Sequence, residues 1–141
     1  MKYLEKISDS KDIVTKEYVD NKVSNIPTSL GKIYSGSIVT NTVADRTSVI
    51  VNELYLPAGK YILTFNVEFS ISSTAGTVVN IMDATGTLAI ERSTMSGGGG
   101  NSLCTVINNQ EEEGYFRAYA YQNSGKTVTL SKNIFRAIKV G

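Results

Sequence analysis

Most of the chain alternates between hydrophobic and polar residues with a period of two, which is typical of half-buried β-strands. The clearest run is GKYILTFNVEFSIS, in which apolar residues share one face and polar residues the other. The apolar face consists of Tyr61, Leu63, Phe65, Val67, Phe69 and Ile71. Turns containing Gly or Pro separate the other predicted strands, at about 32–39, 48–56, 77–83, 87–93, 102–108, 114–122, and 127–131 with 134–140.

A single short helix is predicted ahead of these strands, in VTKEYVDNKVSNI. Thr15 can cap its first turn, and Glu17 lies near the positive end of the helix dipole. Pro27 ends the helix because it pushes the residue before it out of the α region. The pattern therefore predicts a helix over about residues 15–25.

The apolar residues of this helix form a narrow stripe. Val19, Val23 and Ile26 are spaced four and then three residues apart, which suits contact between helices. An isolated helix of about 12 residues is marginal in water because nucleation is costly. We therefore expect it either to lie on its own domain or to meet copies of itself.

Eight or nine short strands without helical interruption predict an antiparallel β-sandwich, or jelly roll, in a mainly β protein. The 141 residues fit one domain with a short extension. We assign residues 1–30 to an N-terminal attachment segment that contains the helix, and residues 31–141 to the β-sandwich head domain.

Composition narrows the possible partners. The net charge is +1 without a basic block, which disfavours nucleic acid. No apolar run resembles a signal peptide or is long enough to cross a bilayer, so membrane insertion is not expected. One cysteine cannot form an internal disulfide, and the absence of histidine removes the usual zinc and haem ligand sets. No cofactor or metal is expected.

Two segments have an ordinary structural interpretation. The SGGGGN run at 96–101 lacks the lysine and the following helix of a phosphate-binding loop, so we predict a connector between strands. Cys104 has no histidine to act as its base. It shares a strand face with Val106, which favours burial as a small hydrophobic residue.

A polar and acidic turn occupies residues 108–113. Its carboxylates and amides could bind calcium or hydrogen-bond the hydroxyls of a sugar, but the spacing matches no known calcium loop. A solvated hairpin tip is therefore favoured. The candidate ligand residues in this part of the chain are Asn101, Asn108, Asn109 and Gln110.

The segment GYFRAYAYQNSG predicts a strand with an unusual outward face. Its small or aromatic inward residues would be Phe116, Ala118 and Ala120. Its outward residues, which we call the tyrosine stripe, would be Tyr115, Arg117, Tyr119 and Tyr121. Tyrosine and arginine are enriched in protein interfaces, so subunit contact is the favoured role, with the domain's own core and ligand contact as alternatives.

Catalysis is not expected. The acidic residues show no pairing of the kind a glycosidase needs, and no activated nucleophile, cofactor loop or metal cage is visible.

VTKEYVDNKV resembles the Lys-x-Tyr-Val-Asp segment that recurs in bacteriophage tail-fibre and related virion proteins. The later stretches LPAGKYILTFNVEF, YAYQNSGKTVTL and NIFRAIKVG are similar to the C1q/TNF-like jelly rolls at the tips of phage fibres and receptor-binding proteins. The resemblance implies a homotrimer whose inner sheet lines a threefold axis with aromatic side chains. Tyr115, Tyr119 and Tyr121 would supply them here.

Together these features predict a non-enzymatic virion protein of a phage or prophage. The helical segment is brief, so a short fibre, a tail-tip protein or a capsid-attached fibre fits better than a long shaft. The N-terminal segment would attach the trimer to other virion proteins, and the head would bind a saccharide or protein on the host surface. The trimer interface would contain Val19, Val23 and Ile26 as well as the tyrosine stripe.

Two alternatives use the same trimer. The first is a structural decoration or adaptor of the virion without a receptor. The second is a secreted C1q/TNF-like ligand, which is disfavoured because no signal peptide is visible.

Overall fold

The computed structural model describes residues 15–24, 29–71, 75–83, 85, 89–96, 99–109 and 113–141. The chain divides into two compact units, Met1–Leu30 and Gly31–Gly141.

The first unit contains the helix α1, Lys16–Ser24. The hydroxyl of Thr15 accepts a hydrogen bond from the amide of Tyr18 at 3.2 Å, which confirms the predicted cap. Lys16 and Asp20 form an ion pair one turn apart. None of the helical residues is buried, and Val19 and Val23 are exposed. Ile26, the third residue of the predicted stripe, lies outside the described residues.

The second unit is a sandwich of two five-stranded sheets whose named strands all pair antiparallel. The first sheet contains β1 Ile33–Ser35, β3 Thr42–Val43, β5 Gly59–Phe69, β8 Gly99–Asn109 and β10 Val128–Lys139. The second contains β2 Ser37–Ile38, β4 Thr47–Leu56, β6 Gly76–Met82, β7 Ala89–Ser96 and β9 Gly114–Gln122.

The strand order within the sheets is that of a jelly roll. The first sheet runs β1-β10-β5-β8, with β3 also paired to β10, and the second runs β2-β4-β9-β6-β7. Along the named strands the chain changes sheet after every strand except β6, so nearly all sequence neighbours lie in opposite layers. The predicted fold class, a mainly β antiparallel jelly roll preceded by one short helix, is confirmed.

Two strands are longer than predicted. β10 is continuous where two pieces were predicted, and a register shift between Leu130 and Lys132 explains the break in its alternation. β8 begins at Gly99, since Gly99 and Gly100 pair with Phe69 and Glu68 of β5. The predicted connector at 96–101 is therefore partly strand.

The core lies between the two sheets and is built from the inward residues of the long strands. Phe65 of β5 and Phe135 of β10 meet edge to face with their ring centroids 5.8 Å apart. From the second sheet, Phe116, Ala118 and Ala120 point inward as predicted. Small alanines here leave room for the large side chains of the facing sheet.

Cys104 is exposed, so the prediction of burial is wrong. It does alternate with its buried neighbour Leu103, and it shares a face with Val106 as expected. That face, however, is the outer side of the first sheet. Strand alternation places residues on a common face but does not say which face meets the core.

Candidate functional site

The outward face of the second sheet carries aromatic and polar side chains. Along β9, Tyr115 is exposed and Arg117, Tyr119 and Tyr121 are half-buried, whereas the residues between them are buried. The tyrosine stripe therefore points outward as predicted. The role of the stripe in subunit contact stays a prediction.

Part of this face is already occupied by contacts within the chain. Arg117 Nε donates to Glu53 Oε1 at 2.8 Å across the β4–β9 pair. This hydrogen bond raises the pKa of Arg117, against the opposing effect of desolvation. The rings of Tyr55 and Tyr115 pack with centroids 5.1 Å apart. The pKa of the Tyr55 hydroxyl is also raised, mainly by a hydrogen bond with Glu113.

At the Tyr121 end of the stripe, the sheet face forms a depression of about 230 Å³. The strand register explains how its lining is assembled. Ser48, Tyr121 and Val78 lie directly opposite one another on β4, β9 and β6. Asn80, two residues beyond Val78, lies opposite Arg92 of β7. These five residues line what we call the sheet-face pocket.

The pocket contains polar groups that the fold leaves unused. Asn80 Oδ1 is buried and accepts no hydrogen bond from the described residues. Arg92 forms no ion pair within the described part of the chain. An unpaired buried acceptor costs free energy of about 1–3 kcal/mol. Hydroxyl, amide and guanidinium groups around a tyrosine ring can bind a polar ligand by hydrogen bonds.

The outward face of the first sheet is different, because an apolar row crosses it. Ile33 of β1 lies opposite Ile138 of β10, Ile138 lies opposite Ile62 of β5, and Ile62 lies opposite Val106 of β8. Ile33 is 62% exposed, Val106 is 58% exposed and Ile138 is 40% exposed. Four β-branched side chains thus form a continuous apolar row on the surface. Cys104 lies in the next row, opposite Thr64.

Of the four predicted ligand residues, the structure describes the side-chain environment of Asn101. Asn101 is buried; its amide nitrogen donates to Thr77 Oγ1, and its amide oxygen accepts from Ser93 Oγ at 3.0 Å. This placement argues against a ligand contact at Asn101. Asn108 and Asn109 pair through β8 with Lys60 and Gly59. Gln110 lies outside the described residues.

Sequence reasoning identified Tyr121 but missed the other lining residues of the pocket and the apolar row. Ser48, Asn80 and Arg92 come from three strands, and only the register brings them together. The apolar row could have been recognised in the sequence pattern. Ile62 interrupts the polar face of the β5 pattern, and Val106 lies on the polar side of β8.

Within the described residues, no cluster of three or more His, Cys, Asp or Glu side chains is arranged to hold a metal ion. No helix there has the length and apolar character needed to cross a membrane.

No protein-family model matches the chain, and no curated protein matches it significantly. The chain is similar in structure to murine APRIL, whose crystal structure at pH 8.5 aligns with a TM-score of 0.55 and 14% identity. That alignment covers 77% of this chain and 98% of APRIL. At this identity the similarity shows the jelly-roll fold alone.

A carbohydrate-binding module from Cellvibrio mixtus lichenase 5A, solved in complex with cellotriose, aligns with a TM-score of 0.39 and 13% identity. That alignment covers 77% of this chain and 86% of the module.

Proposed function

We propose that this chain is a homotrimeric, non-enzymatic protein of a phage or prophage virion, and that its head domain binds a saccharide on the bacterial surface. The N-terminal segment attaches it to other virion proteins. The resemblance of VTKEYVDNKV to tail-fibre segments supports the virion assignment. The assembly and binding roles are supported by one observation: the outward face of the first sheet is crossed by an apolar row, whereas that of the second sheet is aromatic and polar.

The apolar row supports contact with other copies of the chain. A monomer gains nothing by exposing aligned β-branched residues on four adjacent strands, whereas burial of apolar surface is favourable by about 25 cal/mol per Å². The centres of subunit interfaces are more apolar than the rest of the surface. Three first sheets that meet at a threefold axis would cover the row.

This proposal moves the main subunit contact of the head away from the tyrosine stripe. Arg117 already has Glu53 as a partner, and the stripe belongs to the opposite layer of the sandwich. A trimer that packs through the first sheet leaves the face of the second sheet free. Its tyrosines and amides are residue types that stack on sugar rings and hydrogen-bond their hydroxyls.

Avidity would make weak single sites sufficient. Three heads per trimer and several trimers per virion turn each later contact into an effectively intramolecular event, which raises the overall affinity without new contacts. This arrangement requires binding at the second-sheet face and no chemical step.

Light scattering after size-exclusion chromatography tests the trimer. The wild-type chain is expected to be a trimer, and Val106→Asp is expected to be a monomer with an unchanged β-sheet circular dichroism spectrum. Tyr115→Asp is the matched control, because it places the same charge at a similarly exposed position in the other sheet. Loss of the trimer by Tyr115→Asp alone would return the contact to the tyrosine stripe, and a wild-type monomer would refute the assembly.

Receptor binding is tested with fluorescently labelled protein on candidate host cells, before and after their surface polysaccharide is stripped. Labelling that disappears on stripping is the expected result. A trimer that labels no strain infected by the parent phage would instead be a decoration or adaptor of the virion.

A further inference from the structure

We propose that the sheet-face pocket binds one acidic sugar residue, with Arg92 as the partner of its carboxylate. This inference rests on the proposed function and deepens it, since it assigns a place and a chemical class to the saccharide. Five side chains from four strands build the pocket: Ser48, Val78, Asn80, Arg92 and Tyr121.

The charge of the pocket favours an anion. Among the described residues that line it, Arg92 is the only charged one, and none of the five is acidic. Two carboxylates on the strands of this sheet have partners of their own: Glu53 pairs with Arg117, and Glu91 Oε1 accepts a hydrogen bond from the amide of Arg92 at 3.1 Å. The side chain of Arg92 is exposed and forms no ion pair in the described part of the chain, and a planar carboxylate matches the paired donors of its guanidinium group.

The neutral groups of the pocket suit the rest of a sugar ring. Asn80 lines the pocket, and its Oδ1 is a buried acceptor without a partner among the described residues. The hydroxyl of Ser48 can donate or accept. Tyr121 and Val78 supply aromatic and apolar surface for the carbon-bound hydrogens of the ring.

Its size also restricts the ligand. About 230 Å³ lies below the range of roughly 300–1,000 Å³ that is typical of pockets for drug-sized molecules. The pocket therefore suits one ring of a polysaccharide, whose neighbouring residues would extend along the open sheet face.

A carboxylate fits better than a phosphate group. A phosphate monoester carries up to about two negative charges at neutral pH and is usually met by several donors or cations. A single arginine matches the single charge of a uronic acid.

The test uses the full-length chain and oligosaccharide probes of known charge. Trigalacturonate and triglucuronate are titrated by calorimetry and by amide NMR, and their methyl esters serve as neutral controls of the same shape. We expect at least one acidic probe to bind with shifts centred on Asn80 and Tyr121, and its ester to bind at least about tenfold more weakly. Equal binding of acid and ester, shifts confined to another surface, or no binding of either acid at millimolar concentration would overturn the inference.

Arg92→Gln is expected to weaken binding of the acidic probe by at least about tenfold. Lys126→Gln removes the same charge from an exposed loop position and should change the affinity by less than about twofold. Unchanged affinity in Arg92→Gln would refute the role of this residue. Displacement of the probe by an equal concentration of inorganic phosphate would reduce the site to a general anion contact and would also refute the inference.

Cell labelling separates this inference from the proposed function. If wild-type protein labels host cells and Arg92→Gln labels them equally, the receptor site lies elsewhere and only the pocket inference fails. If the wild-type protein binds the acidic probe but labels no host, the pocket is correct and the host-receptor role fails.

Discussion

The side chains of Asn52 and Asn133 join the two sheets across the interior of the sandwich. Asn52 Nδ2 donates to Asn133 Oδ1 at 3.0 Å, and both residues are buried. Asn133 Nδ2 in turn lies within hydrogen-bond distance of the Val51 carbonyl at 2.9 Å and of Thr40 O and Asn41 Oδ1 at 3.1 Å each. These hydrogen bonds hold β10 against β4 and against the loop between β2 and β3 at one lateral position.

We expect Asn133→Ala to destabilise the head domain by about 1–3 kcal/mol, because the buried Asn52 amide then keeps only its 3.4 Å contact with the backbone carbonyl of residue 133. Urea unfolding followed by circular dichroism measures the change. Ser131→Ala on the same strand is the control, since Ser131 is exposed and its hydroxyl lies 3.5 Å from its nearest acceptor. A loss below about 0.5 kcal/mol at position 133 would show that solvent replaces the lost bonds.

Glycine is required at position 36 because other atoms lie too close to leave room for a side chain. A Cβ at this position would lie 2.2 Å from Asn52 Oδ1 and 3.0 Å from the Glu53 carbonyl. We expect Gly36→Ala to cost about 1–3 kcal/mol through overpacking. Gly76→Ala is the control, because its nearest contact would be an ordinary 3.5 Å. If Asn52 Oδ1 is the obstacle, the double variant Gly36→Ala/Asn52→Ala should lose less stability than the sum of the single variants.

Tyr61 predicts a loss of stability at alkaline pH. The pKa of the Tyr61 hydroxyl is raised from about 10 to about 12, mainly because the side chain is buried and to a smaller extent because of Tyr34. The folded state therefore keeps the phenol proton after the unfolded chain has released it. The contribution of the Tyr61 hydroxyl to the unfolding free energy is fully present below pH 10 and is lost as the pH rises through 12. The total loss is at most about 3 kcal/mol.

Tyr61→Phe should flatten the pH dependence of the unfolding free energy between pH 10 and 12. The variant should also lose a pH-independent amount of about 1 kcal/mol, because the Tyr61 hydroxyl donates to the Pro57 carbonyl at 2.8 Å. Tyr18→Phe, at an exposed position on the helix, is the control and should leave the alkaline slope as it is in the wild type. Equal slopes in the wild type and Tyr61→Phe would contradict the assignment.

Cys104 reports on the proposed contact through the first sheet. It is exposed in the single chain and shares the outer face of the sheet with Val106. In the trimer we expect its reaction with a thiol reagent to slow by about tenfold or more, and in monomeric Val106→Asp we expect fast reaction. Tyr115→Asp should retain the slow reaction. Fast modification of a wild-type trimer would place the interface elsewhere.

The helix carries a separate prediction about assembly. Val19 and Val23 are exposed in the single chain, and the sequence stripe predicts contact between helices of different copies. Val19→Asp with Val23→Asp should weaken the trimer more than it lowers the thermal stability of the β fold. Light scattering over a dilution series measures the strength of the trimer, and calorimetry measures the thermal stability of the β fold. Trimers of unchanged affinity would show that the helix is only a tether.

Local patterns predicted most of the fold. The alternation in β5 and β9 gave their inward residues correctly, and Thr15 marked the start of the helix. These predictions succeeded because strand alternation and helix capping depend on residues within a few positions of one another. The break predicted in β10 failed because a bulge shifts the alternation without ending the strand.

The sequence by itself determined that the chain is a helix followed by an antiparallel sandwich, and that the tyrosine stripe points away from the core. Only the tertiary structure decided that Cys104 faces outward, that Ile33, Ile62, Val106 and Ile138 align across four strands, and that Arg92 reaches the same depression as Tyr121. The physical reason is that these relationships depend on strand order and register between segments distant in sequence. Cross-strand pairing sets that register over the whole sheet.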